Sequence, residues 1–293
     1  MAIPESRLEI WAHQGSITGS ADTYGIIMRA LIDRTAPWSS RSTDIYLQGS
    51  YANHTNVYGD SDVDVVLCLN ATYHENIDAL SSQDRLLHDA DWTAATYPLA
   101  EFKADVAAWL AKAFGGVDAT GKAIHVPASG SRRPVDVLAC AEYRHYRSYS
   151  RPSSDDYASG ICFRDRNGSL IENYPKQHSA NCTAKHQATG GWFKPMVRVV
   201  KNLRNLLVSE GVIADGVAPS YFLEGMLSNV PVHLYGGSYG DTLANAIRWL
   251  EAADRSQLTC ANGMHWLLRD GYPVCWREAS YNNFLSAARS ALL

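Results

Sequence analysis

Two aspartates open an apolar strand near residue 62, and this feature most limits what the chain can fold into. The segment Ser61-Asp62-Val63-Asp64-Val65-Val66-Leu67 alternates acid and valine before it becomes fully apolar. Residues two apart in a strand point to the same face, so Asp62 and Asp64 are predicted to present two carboxylates side by side. Such carboxylates repel each other unless a cation lies between them. Mg²⁺ commonly takes one or two carboxylates plus substrate phosphates, so the pattern predicts a Mg²⁺ or Mn²⁺ site.

A third acid and a glycine-serine turn complete this pattern. Asp136 lies in a second apolar strand, Pro134-Val135-Asp136-Val137-Leu138, where a carboxylate without a partner is costly. If the two strands are neighbours, the three acids can hold two metals, one that activates the attacking hydroxyl and one that binds a triphosphate. Gly49 ends an earlier strand and lets the backbone approach a phosphate closely, while Ser50 supplies a hydroxyl and an amide as donors. Each feature alone is also common in a purely structural role.

The apolar periodicity predicts an α+β fold. Helices are expected at 20–34, 101–114, 192–208, 220–229, 241–253 and 279–292, and strands at 44–48, 63–69, 124–126 and 135–139. The stretch 142–191 has no steady periodicity and is predicted to be a long functional loop. Residues 1–190 are therefore expected to form a catalytic core with a long N-terminal helix. Residues 191–293 are expected to form a mainly helical lobe.

Composition excludes several classes of protein. The formal net charge of −4 argues against a protein that coats a nucleic-acid backbone, so no stable DNA partner is expected. No apolar run has the length of a signal peptide or of a membrane-spanning helix, which predicts a cytoplasmic protein without a membrane partner. The six cysteines include no Cys-x-x-Cys pair, so they are expected to be reduced thiols, mostly in the core.

The order of these features resembles the polymerase-beta nucleotidyltransferase superfamily. Its pattern is a Gly-Ser turn, an Asp-x-Asp pair that opens a strand, and a distant third acid, and Gly49-Ser50, Asp62, Asp64 and Asp136 match it. The resemblance implies a polymerase-beta-like sheet. It also implies a metal-dependent nucleotidyl transfer in which the three acids are the catalytic residues and the metal ligands.

Two further segments resemble the bacterial cGAS/DncV-like nucleotidyltransferases, which make cyclic oligonucleotide signals in anti-phage defence. Trp192 to Asn202 is similar to the helix that supplies a triphosphate-binding lysine, and Pro219 to Glu224 is similar to a serine-bearing helix start. The resemblance implies that the lobe at 191–293 completes the nucleotide cleft. It also implies that Lys201 and Ser220 contact the donor triphosphate and that Tyr221 stacks on a base.

The residues themselves are consistent with this assignment. Lys194, Arg198 and Lys201 share a helix face, which gives a positive strip suited to a polyphosphate, although such a face is also ordinary on a solvated helix. Ser220 at a helix start is suited to an anion, but it is equally an ordinary N-cap.

The segment from Gly160 to His178 resembles the CdnE-like branch, whose members tend to use pyrimidine nucleotides. The resemblance implies that Asn173 reads the Watson–Crick edge of uracil, since an amide offers both a donor and an acceptor. Asn181 is the second candidate. The alternative interpretation of Asn173 is an ordinary turn residue before Pro175.

The resemblance implies a cyclic di- or trinucleotide second messenger, made from ATP, UTP or other nucleoside triphosphates, with regulatory proteins as further partners. Two alternatives stay open. A nucleotidyltransferase that modifies RNA or protein would show label only on an added macromolecule. A catalytically inactive sensor would bind nucleotide without releasing pyrophosphate.

Overall fold

The computed structural model describes residues 3–15, 18–58, 62–150 and 156–292. Its helices and strands within these ranges are, in chain order, α1 (Glu5–Ala12), α2 (Thr18–Leu31), β1 (Thr43–Gln48), α3 (Gly49–Ala52), β2 (Val63–Asn76), α4 (Ser82–Asp91), α5 (Leu99–Phe114), β3 (Ile124–Val126), β4 (Val135–Ser148), β5 (Asp156–Arg164), β6 (Leu170–Asn173), α6 (Pro175–Ala188), α7 (Phe193–Ser209), α8 (Ser220–Asn229), α9 (Tyr239–Ala252) and α10 (Glu278–Ser290). Short 3₁₀ turns lie at Val232–Leu234 and Arg255–Gln257.

One compact unit, the sheet unit, comprises Ile17–Gln48 and Ser61–Tyr174. Its strand order is β1-β2-β4-β5-β6, and β3 pairs with the first residues of β4. The pair β2 and β4 is parallel and the other pairs are antiparallel. Residues 65–69 of β2 are buried on both faces, as their continuous apolar sequence requires. Helices α2 and α5 pack on the sheet, with Trp38 buried edge-to-face against Phe102.

The second compact unit, the helical unit, comprises Met1–Ser16, Gly49–Asp60 and Pro175–Leu293. Helix α7 lies at its centre and contacts α1, α6, α8, α9 and α10. Most of its apolar residues are buried, Val197 and Leu203 fully so, and Leu223 and Leu250 join them in one core. The core explains why α7 is the most clearly amphipathic stretch of the sequence.

The prediction of a long loop at 142–191 is wrong. This stretch contains the end of β4, then β5, β6 and α6. The aromatic residues near the end of β4 pack together, since Tyr146 and Tyr149 form a buried cluster with Leu80. Helix α6 buries only His178 and Cys182. It has no apolar stripe, and this is why periodicity could not reveal it.

The division into units also differs from the expected boundary at residue 190. The helical unit contains α6 as well as α1 and the segment around α3, so the chain passes between the units more than once. The cysteines are free thiols, and five of them are buried, which agrees with the expectation from composition. Within the described ranges, none of the helices has the length and apolar character needed to cross a bilayer.

Candidate active site

Two of the three acids lie opposite each other in the sheet unit. Asp64 of β2 is in register with Asp136 of the parallel strand β4, and Gln48 of β1 lies opposite Asp64 on the other side. In-register residues of neighbouring strands project from the same face, so the two carboxylates share one face. Asp62 directly precedes β2 and is exposed, whereas Asp64 is half-buried. The predicted adjacency of the two acid-bearing strands is therefore correct.

A histidine that the sequence analysis did not single out contacts the third acid. His125 of β3 is paired with Asp136, and the two side chains are joined by a 2.9 Å contact between Nδ1 and Oδ1. An ionised carboxylate only accepts hydrogen bonds, so Nδ1 is the donor. Both side chains remain partly exposed, at 45% for His125 and 33% for Asp136. The available signal was a single polar residue between buried Ile124 and Val126, which by itself does not indicate a site.

An open cavity of about 510 Å³ lies beside this pair. Its volume is in the range of small-molecule sites. It is lined by acidic, basic and small residues: Asp118, Gly121, Lys122, Ala123, His125, Asp136, Asp165 and Arg166. The cavity therefore offers charged groups of both signs next to one of the acids.

The glycine-serine turn belongs to the helical unit. Gly49 has a φ of 69°, a left-handed conformation that favours glycine. The backbone N–H of Asn53 donates to the Gly49 carbonyl and that of Thr55 donates to the Ser50 carbonyl, at 3.1 and 2.9 Å. His54 between them also has a positive φ, 56°, which is uncommon for a residue other than glycine. We call Gly49–Thr55 the phosphate loop after the role predicted for Gly49 and Ser50, and a contact of this loop with phosphate stays a prediction.

Lys194, Arg198 and Lys201 of α7 are buried, so the face that they share is neither solvated nor an open positive strip. Arg198 donates to the backbone carbonyls of Ala12 and His54 at 2.5 and 2.6 Å. Lys194 is 8% exposed, and burial lowers its pKa. Lys201 is 0% exposed and donates to the Thr55 carbonyl at 3.1 Å. A direct contact of Lys201 with a triphosphate stays a prediction, and it would require this ammonium to become accessible.

Both predicted residues of α8 lie in its first turn. Ser220 accepts a 3.4 Å hydrogen bond from Arg204, and Tyr221 stacks on His178 with ring centroids 5.1 Å apart and an interplanar angle of 23°. The Tyr221 hydroxyl accepts from Asn262 at 2.9 Å, and burial raises the pKa of this phenol. Contacts of Ser220 and Tyr221 with a nucleotide stay predictions.

The two asparagine candidates lie in different units. Asn173 ends β6 in the sheet unit, and its Oδ1 accepts the backbone N–H of Tyr174 at 2.8 Å. Gly160 of the neighbouring strand β5 lies close to the Asn173 backbone. A Cβ at position 160 would lie 2.7 Å from the Asn173 carbonyl oxygen, so the site has no space for one. Asn181 of α6 donates to the Ala261 carbonyl at 2.9 Å. The Asn173 side chain is thus bonded to the backbone of the following residue, and its role in base choice stays a prediction.

A buried group of His178, Cys182 and Glu224 has potential ligand atoms within 4.8 Å of one another. Burial raises the pKa of the Cys182 thiol, so the thiolate that a metal requires is disfavoured. The Glu224 oxygens already face donors, of which His178 Nε2 at 2.5 Å is the closest. Burial alone raises the pKa of Glu224, but the hydrogen bonds and charges around it hold that pKa below its ordinary value. We read this group as a hydrogen-bonded network around an ionised carboxylate.

Comparison with known proteins identifies the family. The model of the cGAS/DncV-like nucleotidyltransferase C-terminal helical domain matches residues 180–293. A cyclic UMP-AMP synthase of Rhodothermus marinus is 39% identical over 289 residues, which cover 97% of this chain and 96% of that protein. A cyclic nucleotide synthase, CdnE01, of Staphylococcus haemolyticus is 34% identical over 294 residues, with 97% of each chain covered. The chain belongs to the cGAS/DncV-like nucleotidyltransferases.

A solved structure supports the same family assignment. The Rhodothermus marinus CdnE c-UMP-AMP synthase with Apcpp and Upnpp has a TM-score of 0.87 and 37% identity, covering 98% of this chain and 96% of that one. The predicted α+β class and the CdnE-like resemblance are confirmed. This cGAS/DncV-like protein is a nucleotidyltransferase of the cyclic nucleotide synthase type.

Proposed function

We propose that this nucleotidyltransferase joins UTP and ATP into a cyclic dinucleotide and releases pyrophosphate at each step. The observation that carries the proposal is the full-length similarity, at 39% identity, to a protein named as a cyclic UMP-AMP synthase. The in-register Asp64 and Asp136 support it, since nucleotidyl transfer requires clustered carboxylates on rigid strands. The family further suggests that the product is a signal in anti-phage defence.

We further propose that Asp62, Asp64 and Asp136 hold the divalent cation, Mg²⁺ or Mn²⁺. The donor set fits this group: three carboxylates offer only oxygen ligands, and two of them lie opposite each other on neighbouring strands. The hydrogen bond from His125 to Asp136 also fits, because ligating carboxylates are usually oriented by such outer partners. The cation, when bound, supplies charge that stabilises the reacting phosphate. The protein's own acids orient the cation, and Ser50 offers a hydroxyl and an amide to the phosphate oxygens.

Mass spectrometry of the product made from all four triphosphates tests the base choice. The expected product contains one uridine and one adenosine and resists phosphatase. A product without uridine would contradict the proposal, and label found only on added RNA or protein would favour the macromolecule-modifying alternative. Pyrophosphate release must accompany the product, because a sensor without catalysis would release none.

Asn173→Ser tests the proposed reader of uracil. If Asn173 pairs with the uracil edge, the variant is expected to keep most of its pyrophosphate release while its product shifts toward purines, since loss of a base-pairing amide costs a few kcal/mol of discrimination. Asn181→Ser is the matched comparison in α6. Unchanged composition in the Asn173 variant and a shift in the Asn181 variant would transfer the role to Asn181.

A further inference from the structure

The carboxylate of Glu224 in α8 receives donors from three other parts of the helical unit. Thr55 Oγ1 lies 2.6 Å and Lys201 Nζ 3.9 Å from Oε1, while His178 Nε2 lies 2.5 Å and Asn53 Nδ2 3.3 Å from Oε2. We call these five residues the Glu224 cluster. We propose that Glu224 is a positioning residue that fixes the phosphate loop and the start of α8 for the donor nucleotide. This inference rests on the proposed role of Ser50 at the triphosphate.

The link from Glu224 to Ser50 passes through a single residue. Thr55 donates its hydroxyl to Glu224, its carbonyl accepts from Lys201, and its N–H donates to the Ser50 carbonyl at 2.9 Å. Asn53 makes the second contact from the same loop. Since Thr55 is fixed through its side chain, carbonyl and amide at once, displacement of the carboxylate is transmitted directly to Ser50.

Backbone strain in the loop indicates why such fixing is needed. His54 lies between the two loop residues that contact Glu224 and has a φ of 56°. Non-glycine residues keep such a conformation only where the surrounding structure over-determines it, and they concentrate at ligand-binding sites. The Glu224 cluster holds both neighbours of His54, and Arg198 binds its carbonyl. Without these contacts the loop is expected to relax to a different course.

The same carboxylate acts on the start of α8. Glu224 lies one turn after Ser220, so it shares a helix face with it. His178, which donates to Glu224, also stacks on Tyr221. One buried group therefore fixes both Ser50 and Tyr221, which come from segments about 170 residues apart in the chain.

Stability alone is a poor explanation for this network. A buried ion pair gives little net stability compared with apolar side chains of similar volume, because both charges lose their hydration. Glu224 is 4% exposed and Lys201 is fully buried. A buried charge pair that adds little stability is consistent with a role for Glu224 in holding the phosphate loop in one geometry.

Nucleotide binding to the full-length protein tests the proposal. Thr55→Val removes the hydroxyl and keeps the shape, while Thr55→Ser restores the donor. Calorimetric titration with Mg²⁺ and the α,β-methylene analogue of ATP is expected to give a Kd about tenfold higher for Thr55→Val, since hydrogen bonds to charged groups carry about this weight. Thr55→Ser is expected to bind as the wild type does. In turnover assays, KM for the donor should rise more than kcat falls.

Three further variants make the result decisive. Ile247→Val changes a buried residue of α9 that is not a member of the Glu224 cluster, and it is expected to lower stability and leave Kd unchanged. Asn53→Ala removes the longer loop contact and is expected to raise Kd about threefold, which keeps a test available if Thr55→Val fails to fold. Ser50→Ala is expected to weaken binding. If Ser50→Ala binds weakly while Thr55→Val and Asn53→Ala bind normally, the positioning role of Glu224 is overturned. If Ser50→Ala binds normally, the proposed phosphate contact on which that role rests is removed.

Discussion

The two units of the molecule use charged groups in different ways. In the sheet unit, Asp62, Asp64 and Asp136 lie at the starts of strands and remain at least partly exposed. In the helical unit, Lys201 and Glu224 are buried with their charged atoms 3.9 Å apart, and Lys201 also donates to the Thr55 carbonyl. The first arrangement leaves charge accessible to a substrate, while the second fixes segments that carry polar groups. The difference agrees with the proposals that the acids of the sheet unit hold the cation and that the Glu224 cluster positions the phosphate loop.

The largest expected effect follows from removing an acid of the sheet unit. Asp64→Asn or Asp136→Asn takes a negative charge from the proposed cation site, and we expect activity to fall at least about 10³-fold, because several kcal/mol of barrier stabilisation are lost. The exposure of both acids predicts little change in melting temperature. Pyrophosphate release and a thermal melt measure the two quantities.

Asp78→Asn is the matched control for these variants. Asp78 is an exposed acid of the same unit and is expected to tolerate the change. Near-normal pyrophosphate release by an Asp62/Asp64 double variant would place the reaction elsewhere in the molecule.

The next effect is on stability and lies in the helical unit. Lys201→Met leaves Glu224 with less compensating charge in a buried setting, and the expected loss in the free energy of unfolding is about 3–5 kcal/mol. Lys194→Met on the same helix removes a hydrogen bond to an uncharged group, the Thr183 hydroxyl at 3.4 Å, and is expected to cost less. Urea unfolding gives the ranking. An equal or larger loss at Lys194 would mean that the buried charges of α7 do not differ as the structure implies.

The acids of the sheet could be predicted because a strand has a short and strict period. Once Asp62 and Asp64 are placed at the start of an apolar strand, their shared face follows from alternation. The pairing with Asp136 required a second assumption, that the two apolar strands are neighbours, and the register confirms it. His125 could not be found in this way, because its partner is decided by the position of β3, a strand of only three residues.

In the helical unit, the positions of the helices were predicted better than the burial of the charged side chains. The positions of α7 and α8 follow from apolar spacing, but spacing cannot tell a solvated positive face from a buried one. Lys201 is buried because Thr55 and Glu224, both distant in sequence, supply its partners. Such partners depend on tertiary contacts that no local pattern encodes. Helix α6 was missed because it has no apolar stripe.

A smaller effect is expected at the edge of the proposed cation site. His125→Ala leaves Asp136 without its oriented donor, and the Mn²⁺ concentration for half-saturation is expected to rise about tenfold. Paramagnetic resonance of free Mn²⁺ measures binding without turnover. His125→Asn keeps a donor near the position of Nδ1 and should recover part of the affinity. Equal affinity in the wild type and the alanine variant would show that His125 has no role in orienting the acid.

The smallest expected effect is a difference in pH dependence between the units. In the sheet unit, burial alone lowers the pKa of His88, but hydrogen bonds from its ring to Glu75 and Asp89 raise that pKa above its ordinary 6.5. A raised native pKa means that the stabilisation is fully present below pH 6.5 and is lost as the pH rises through the native pKa. In the helical unit the pKa of Glu224 is lowered, so its contribution is present above pH 4.5 and is lost as the pH falls toward the native pKa.

Two variants separate these contributions by urea unfolding across pH. The loss of unfolding free energy caused by His88→Gln is expected to shrink above pH 6.5, since deprotonation already removes the ion pairs with Glu75 and Asp89 in the wild type. The loss caused by Glu224→Gln is expected to shrink below pH 4.5, because protonation of Glu224 in the wild type removes the same charge. Exposed acids titrate alike in variant and wild type, so they cancel in each difference. A protonated histidine loses its charge as the pH rises, and an ionised glutamate loses its charge as the pH falls. If the losses caused by His88→Gln and Glu224→Gln both shrank in the same direction of pH, the proposed charge states of His88 and Glu224 would be contradicted.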